Sequence, residues 1–448
     1  MSDSAKLFGT DGIRGVAGVD LTPGLAAQIG RGAAVVLAAH LGRRPTFIIG
    51  RDTRVSGQML EAALVAGITS GGGDVETLGV APTPAIAALV VARGADTGVV
   101  VSASHNRFAD NGIKFFNGEG FKLSDDEEAE IEEHVLHHDL PSKNGADIGR
   151  VAAVDGAVEA YVDALAARIP LDLSGWRIAV DCAHGATHAA APLGLAASGA
   201  EVEVLFDEPD GLNINDGCGS THIEPLQARV RAGGFDLGLA FDGDGDRVLA
   251  VDSQGAFVDG DFVIAILASH LKRAGRLRHE TVVTTVMTNL GFHQAMQREG
   301  IAVRTTAVGD SYVLADMLAG DYLLGGEQSG HVINLDVATT GDGLATALLL
   351  LQALREMDAP LDEAARIMTR LPQLLINVRV GDLQALAGSE AVQRVIAEEE
   401  RRLEGSGRVL VRTSGTEPLV RVMVEAITAE DCEAACRRIA GVVEQELA

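Results

Sequence analysis

Apolar and polar positions alternate in blocks along the chain, with strand-length apolar runs followed by stretches of helical periodicity. FIIGRD (47–52) reads as a buried strand leading into the helix QMLEAALVAGITSGG (58–72). WRIAVDCAHG, TVVTTVM and DYLLGG read as further strands separated by apolar helical segments. Such alternation predicts parallel sheets covered by helices. Four times an apolar strand runs straight into a short loop rich in Ser, Asp, Glu or Gly: TGVVVSASHN (97–106), DLGLAFDGDGD (236–246), DYLLGGEQSGH (321–331) and GRVLVRTSGTEP (407–418). Ligands of open α/β sheets bind outside the carboxyl ends of strands. Four such loops at domain-sized intervals therefore predict one shared cleft.

The same pattern suggests domains over 1–152, 153–253, 254–370 and 371–448. GRVAAVDG (149–156) lies at the first boundary, the strand LAVDSQG closes the second unit, and RLPQLLINVRV (370–380) reads as a linker into the last piece. The segment SDDEEAEIEEHVLHH (124–138) reads as an exposed helix, with Ser124 and Glu127 forming a capping box and acids in the first turns.

Composition narrows the class. With 448 residues, 47% of them hydrophobic, the chain has material for several cores. No apolar run reads as long enough to span a bilayer, and MSDSAKLFGTDG lacks the regions of a signal peptide, so a cytoplasmic protein is expected. Four scattered cysteines make no disulfide framework, and Cys432 and Cys436 read as packing residues of a helix. A formal net charge of −27 argues against nucleic acid as a partner. It also means that any phosphate site must be built locally from chosen cations, helix N-termini and a metal.

The loops supply that chemistry. Asp242, Asp244 and Asp246 alternate with glycine, a spacing that can wrap one hard divalent cation. An EF-hand fails, because Arg247 and Ser253 stand where it needs glycine and glutamate. Three carboxylates leave positions open, which suits Mg²⁺ shared with a phosphate oxygen. Ser104 beside His105 admits two readings, a hydrolase's nucleophile with its base or a carrier of a phosphoryl group. The elbow G-x-S-x-G is absent around Ser102 and Ser104, whereas a phosphoserine would complete a metal's shell. Ser104, at the loop, is the better nucleophile, and Ser102, further back on the strand, reads as structural. Arg14 in GTDGIRG can clamp a phosphate, and Arg247 either holds a phosphate or pairs with the aspartates. GEQSGH gathers Glu327, Ser329 and His331, donors and acceptors for a polyhydroxylated ligand. RTSGTEP offers Arg412, the hydroxyls of Ser414 and Thr416, and free backbone N–H groups around Gly415. Each of these last three loops is equally readable as an ordinary turn.

Taken together, GTDGIRG, SASHNRFADNGIKFF, NINDGCGSTH, FDGDGDR, GGEQSGH, TTGDG and RTSGTEPLVRVMVEA resemble the α-D-phosphohexomutase superfamily, in family order and over nearly the whole chain. NINDGCGSTH, GGEQSGH and TTGDG look more like its glucosamine branch than its mannose/glucose branch. The resemblance implies three similar α/β domains with mixed sheets and a smaller C-terminal α+β domain around a central cleft. It implies interconversion of glucosamine 6-phosphate and glucosamine 1-phosphate, towards UDP-N-acetylglucosamine, with a small phosphosugar as the partner and no membrane. A homodimer is compatible with it. By position, Ser104 would be the phosphorylated serine, and Asp242, Asp244 and Asp246 would bind one Mg²⁺ together with its phosphate. Arg14 would steady the phosphoserine, and His105 and Lys114 would assist proton transfer. Glu327, Ser329 and His331 would read the sugar, and the Arg412 loop would hold the phosphate that is not reacting. A hexosamine 1,6-bisphosphate is the implied intermediate. The chain departs from its relatives at Arg107, where proline is usual, and at Ala307 and Ser311, where many carry lysine and arginine.

Overall fold

The computed structural model describes residues 7–9, 11–138, 140–383, 385–413 and 418–447. The chain divides into two compact units, residues 1–286 with 301–366, and residues 287–300 with 367–448. The first unit holds three mixed sheets. In the six-stranded sheet the order is Ile13–Val16, Asp110–Asn117, Thr97–Val101, Thr46–Arg51, Asp74–Val80 and Val151–Ala153. Its last four strands run parallel, and Asp110–Asn117 pairs antiparallel with both of its neighbours. The five-stranded sheet places Arg177–Asp181 between Glu201–Leu205 and Leu237–Phe241, all parallel, and adds Val248–Asp252 antiparallel beside Leu237–Phe241. The four-stranded sheet repeats the theme, with Leu324–Gly326 parallel to Thr281–Thr285 on one side and antiparallel to Val332–Asn334 on the other.

This repetition explains why the polar loops stood out. In these three sheets the loop joins the last parallel strand to an antiparallel return, so an apolar strand flanks it on both sides. The sheets are thus mixed rather than purely parallel, because those returns make antiparallel edges.

Helix Pro23–Leu41 starts at Thr22, whose hydroxyl accepts the Leu25 N–H, and stops at Gly42 in the left-handed region. Contrary to the expectation from sequence, this helix is long and apolar enough to cross a membrane by length and composition. Its apolar face is used inside the protein. It packs so closely on helix Val55–Gly71 that a Cβ at Gly67 would lie 2.1 Å from the Ala27 carbonyl oxygen, and one at Gly30 2.6 Å from that of Leu64. Ile29, Ala33 and Ala34 enter the core with Phe47, Ile49, Leu64 and Ile68. The acidic helix Asp125–His137 carries the expected capping box at Ser124 and Glu127, and only Ile131 among its residues is buried.

The second unit is built on a three-stranded antiparallel sheet ordered Gln373–Arg379, Leu419–Ala426 and Gly407–Thr413. The stretch expected to be a linker is therefore mostly a strand, its apolar residues pairing along Leu419–Ala426. Helix Ala429–Leu447 buries Cys432, Cys436, Ile439 and Val443 against this sheet, so those cysteines are packing residues. Helix Leu290–Glu299 belongs to this unit as well. Its entry is fixed by buried Glu425, which accepts from the Leu290 N–H at 2.8 Å and from Asn289 Nδ2 at 3.1 Å.

Candidate active site

Thr97–Val101 is buried throughout, so the chain leaves it at Ser102. Ser102 Oγ donates to Asp52 Oδ2 at 2.5 Å and accepts from the Ser104 N–H at 2.9 Å, which matches the structural part expected of it. Ser104 is only 1% exposed and takes φ 51°, a left-handed turn that few non-glycine residues adopt. That turn aims its Oγ at the next sheet, where it donates to Asp242 Oδ2 at 2.7 Å. His105 Nδ1 lies 3.3 Å from the same Oγ and 3.3 Å from Arg247 Nη1. Burial, and then the Arg247 and Arg14 charges, push its imidazole pKa down to about 4. It is a neutral, weak base near pH 7. A hydrolase needs its serine proton taken by a base that a third group orients. Here the proton faces a carboxylate and the neighbouring base is weakened, so the hydrolase reading has no geometry behind it.

The carboxylate belongs to a cluster. Asp242, Asp244 and Asp246 are buried, and one oxygen from each lies within 4.8 Å of the others. Asp244 Oδ1 and Asp246 Oδ1 are buried without a hydrogen-bond partner. Burial, then Asp246 and Asp244, raise the Asp242 carboxyl well above the ordinary range. For Asp246 burial acts upward too, but His331, Lys114 and Arg247 outweigh it and hold that carboxyl low. Orphaned hard oxygens amid like charges are what a divalent cation relieves. The donor set therefore fits a metal, and hard oxygens are consistent with Mg²⁺.

Cations surround the cluster. Lys114 Nζ sits 3.3 Å from Asp244 and 3.1 Å from Asp11. Burial opposes its charge, but Asp11, Asp244 and Asp246 outweigh burial and raise its pKa, so it is a fixed cation rather than a base. Arg247 donates its backbone N–H to Asp242 Oδ1 at 3.2 Å and points its side chain between His105 and Asp246. Arg14 pairs with Asp11, and its Nε is buried without a hydrogen-bond partner. His331 Nε2 accepts the Gly341 N–H at 3.1 Å, which places a ring proton on Nδ1, 3.4 Å from Asp246. Burial works against a charge on His331, but Asp246 outweighs it and raises the pKa. Glu327 Oε1 accepts the Gly309 N–H at 3.2 Å, and Ser329 Oγ is buried with no hydrogen-bond partner.

Arg14, His105, Asp246, Arg247, Glu327 and His331 line one cleft of about 550 Å³. The first unit thus brings together the serine, aspartate and glutamate loops. Arg412 lies on strand Gly407–Thr413 of the second unit, in register with Arg421 across the antiparallel pair. Burial and then the Arg421 charge lower its pKa. Ser414, Gly415 and Thr416 lie outside the described residues. The side chains of Arg107, Ala307 and Ser311 are exposed.

Several residues of the site carry no sequence signal strong enough to single them out. Asp310 also lines the cleft, and Lys122 bridges Asp11 at 2.7 Å and Asp310 at 2.5 Å. Arg54, which is 0% exposed, pairs with Asp52 at 2.7 Å and donates to the backbone carbonyls of Ser104, Asn106, Arg107 and Asp110. It holds the serine loop from below. Replacing it (Arg54→Met) removes one donor from each of those carbonyls and leaves the buried Asp52 carboxylate without its cation, with the Ser102 hydroxyl still bonded to it. The expected cost is about 3–5 kcal/mol, read as a lowered midpoint in thermal unfolding, and a midpoint equal to wild type would refute it.

Four domain families match in sequence: the phosphoglucomutase/phosphomannomutase alpha/beta/alpha domain I over residues 5–141, domain II over 159–255, domain III over 259–371 and the C-terminal domain over 375–442. The chain shares its fold with a phosphoglucomutase/phosphomannomutase family protein from Burkholderia thailandensis (TM-score 0.83, 24% identity, covering 99% of this chain and 98% of that one). It also shares it with Aspergillus fumigatus N-acetylphosphoglucosamine mutase, solved in complex with GlcNAc-6P and magnesium (TM-score 0.73, 17% identity, covering 100% and 97%). Fold and site together define a phosphohexomutase, an intramolecular phosphotransferase. A phosphoglucosamine mutase of Bacillus cereus (strain AH187) is 50% identical over 444 residues, 99% of each chain. The chain belongs to the phosphoglucosamine mutase family.

Proposed function

We propose that this chain interconverts glucosamine 6-phosphate and glucosamine 1-phosphate through a phosphorylated Ser104. The observation that carries the reading is the buried Ser104 Oγ, which donates at 2.7 Å to a carboxylate of a metal-competent cluster. Asp242, Asp244 and Asp246 would hold Mg²⁺ beside the serine. When bound, the ion neutralises charge on the phosphoryl oxygens.

In this reading a free hydroxyl of the sugar attacks the phosphorus of phospho-Ser104. The P–O bond to the sugar forms, the bond to Oγ breaks, and the hydroxyl proton passes to a nearby acceptor. His105, whose Nδ1 lies 3.3 Å from Ser104 Oγ, is the candidate acceptor. Lys114, Arg14 and Arg247 stay charged and offset the negative charge that spreads over the transferring group. The product of this half-reaction is a 1,6-bisphosphate. It turns around, and Ser104 takes back the other phosphate with the proton returned. Glu327, Ser329 and His331 hold the sugar hydroxyls. Arg412, set against Arg421, would hold the phosphate that is not reacting, a role shared with Ser414, Gly415 and Thr416. The reading places the enzyme in the cytoplasm.

A coupled assay on glucosamine 6-phosphate, glucose 6-phosphate and mannose 6-phosphate, run side by side, tests this. Turnover of the amino sugar should exceed the others by at least about tenfold, the scale on which pockets discriminate close analogues. Faster turnover of glucose or mannose phosphate would move the chain to the other branch of the superfamily.

A further inference from the structure

The serine loop is held by two NH₂ groups that straddle the same two carbonyls. Arg54 Nη2 donates to Ser104 O at 2.8 Å and to Asn106 O at 2.9 Å. Asn215 Nδ2 donates to Ser104 O at 2.9 Å and to Asn106 O at 3.0 Å. Arg54 comes from the sheet that carries the serine, whereas Asn215 reaches over from NINDGCGSTH, on the side of the five-stranded sheet. Its backbone is pinned in the left-handed region at φ 58°, with its N–H donated to Ala183 O at 2.9 Å. The aspartate loop closes the contact. A Cβ on Gly243 would lie 2.5 Å from Ser104 O and 2.6 Å from Asn215 Nδ2. The Ser104 carbonyl, the Asn215 amide and the backbone between Asp242 and Asp244 therefore touch one another.

We propose that Asn215 is a positioning residue for phosphoryl transfer, setting the serine loop against the aspartate loop. The inference rests on the reading of Ser104 as the phosphoryl carrier. The Ser104 peptide sits in a left-handed turn that its surroundings must maintain. Arg54 fixes that peptide relative to its own sheet. Only a donor from the far side fixes it relative to Asp242. Because Asn215 uses both of its amide hydrogens on the two carbonyls, it resists rotation of the peptide and so holds the direction of Oγ. Displacements of about 1 Å at a reacting centre cost on the order of 10²-fold in rate.

Asn215→Asp tests this while keeping size and tolerance of a positive φ. It replaces both donors with a carboxylate facing two carbonyl oxygens. With glucosamine 6-phosphate as substrate, kcat should fall about 10²-fold while KM stays within about twofold. The melting temperature should fall, because the new carboxylate is buried against two carbonyl oxygens, but the protein should stay folded at the assay temperature and intact mass should still show the phosphoryl group. Wild-type kcat in the folded variant would overturn the proposal, as would a kcat loss matched by an equal loss of folded protein. If Asn215→Asp does not fold, Asn215→Gly, which accepts the same φ, is read by the same criteria. Ser104→Ala in parallel separates the two layers. An active Ser104→Ala variant defeats the underlying reading, whereas an inactive one beside a fully active Asn215→Asp defeats the role of Asn215 alone.

Discussion

Ser104→Ala is expected to lower mutase turnover by at least about 10³-fold, the scale on which loss of a nucleophile or its electrostatic partners is felt. The hydroxyl is the one group in the serine loop aimed at the aspartate cluster, through its hydrogen bond to Asp242 at 2.7 Å. The fold should hardly notice. The bonds that keep the loop in place run through the Ser104 backbone, its N–H to Ser102 and its carbonyl to Arg54 and Asn215. Alanine meets the same left-handed φ as serine, so that strain is nearly unchanged. The purified wild type should carry one phosphoryl group on this residue and the variant none, as read by intact mass and peptide mapping. Full activity in the variant, or phosphate mapped only to another serine, would refute the assignment.

Asp244→Ala separates metal binding from folding. The substitution removes a proposed metal ligand, a hydrogen bond from Thr83 Oγ1 at 2.8 Å and one partner of Lys114. It also removes one of the neighbouring charges that drive the Asp242 carboxyl upward. Lys114 keeps Asp11 at 3.1 Å, so no buried cation is abandoned. Without Mg²⁺ the variant should melt close to wild type. Adding Mg²⁺ at about 100 times its Kd should stabilise the wild type by about 2.7 kcal/mol and leave the variant unmoved. Turnover should fall at least about 10²-fold. Equal Mg²⁺ responses in activity and melting would mean that the cluster is only a buried acidic turn.

Much of this site was legible before any fold was known, and the reason is local. A buried strand must be apolar, and a loop at its end can be polar, so TGVVVSASHN and DLGLAFDGDGD announced their own junctions. The spacing of Asp242, Asp244 and Asp246 bore on a cation because ligand spacing within one loop is a property of neighbours in the chain. Two local readings went astray. RLPQLLINVRV is strand rather than linker over Gln373–Arg379, since its pairing with Leu419–Ala426 is invisible to a window on one segment. Helix Pro23–Leu41 is more apolar than expected because it packs closely on helix Val55–Gly71 and enters the core around Phe47, Ile49, Leu64 and Ile68.

What the sequence alone determined was the chemistry available in each loop, together with the family whose motifs it follows. Which of those groups are charged, neutral or aimed at one another was decided by tertiary structure. Lys114 was expected to assist proton transfer, yet the carboxylates of Asp11, Asp244 and Asp246 outweigh its burial and favour its charged form. His105 looked like a base beside a serine, and burial next to Arg247 weakens it. Lys122 and Asp310, 188 residues apart, meet at 2.5 Å, and Asn215 reaches the Ser104 carbonyl from 111 residues away. Electrostatic energies depend on distance and on solvent excluded in space, and separation along the chain carries neither.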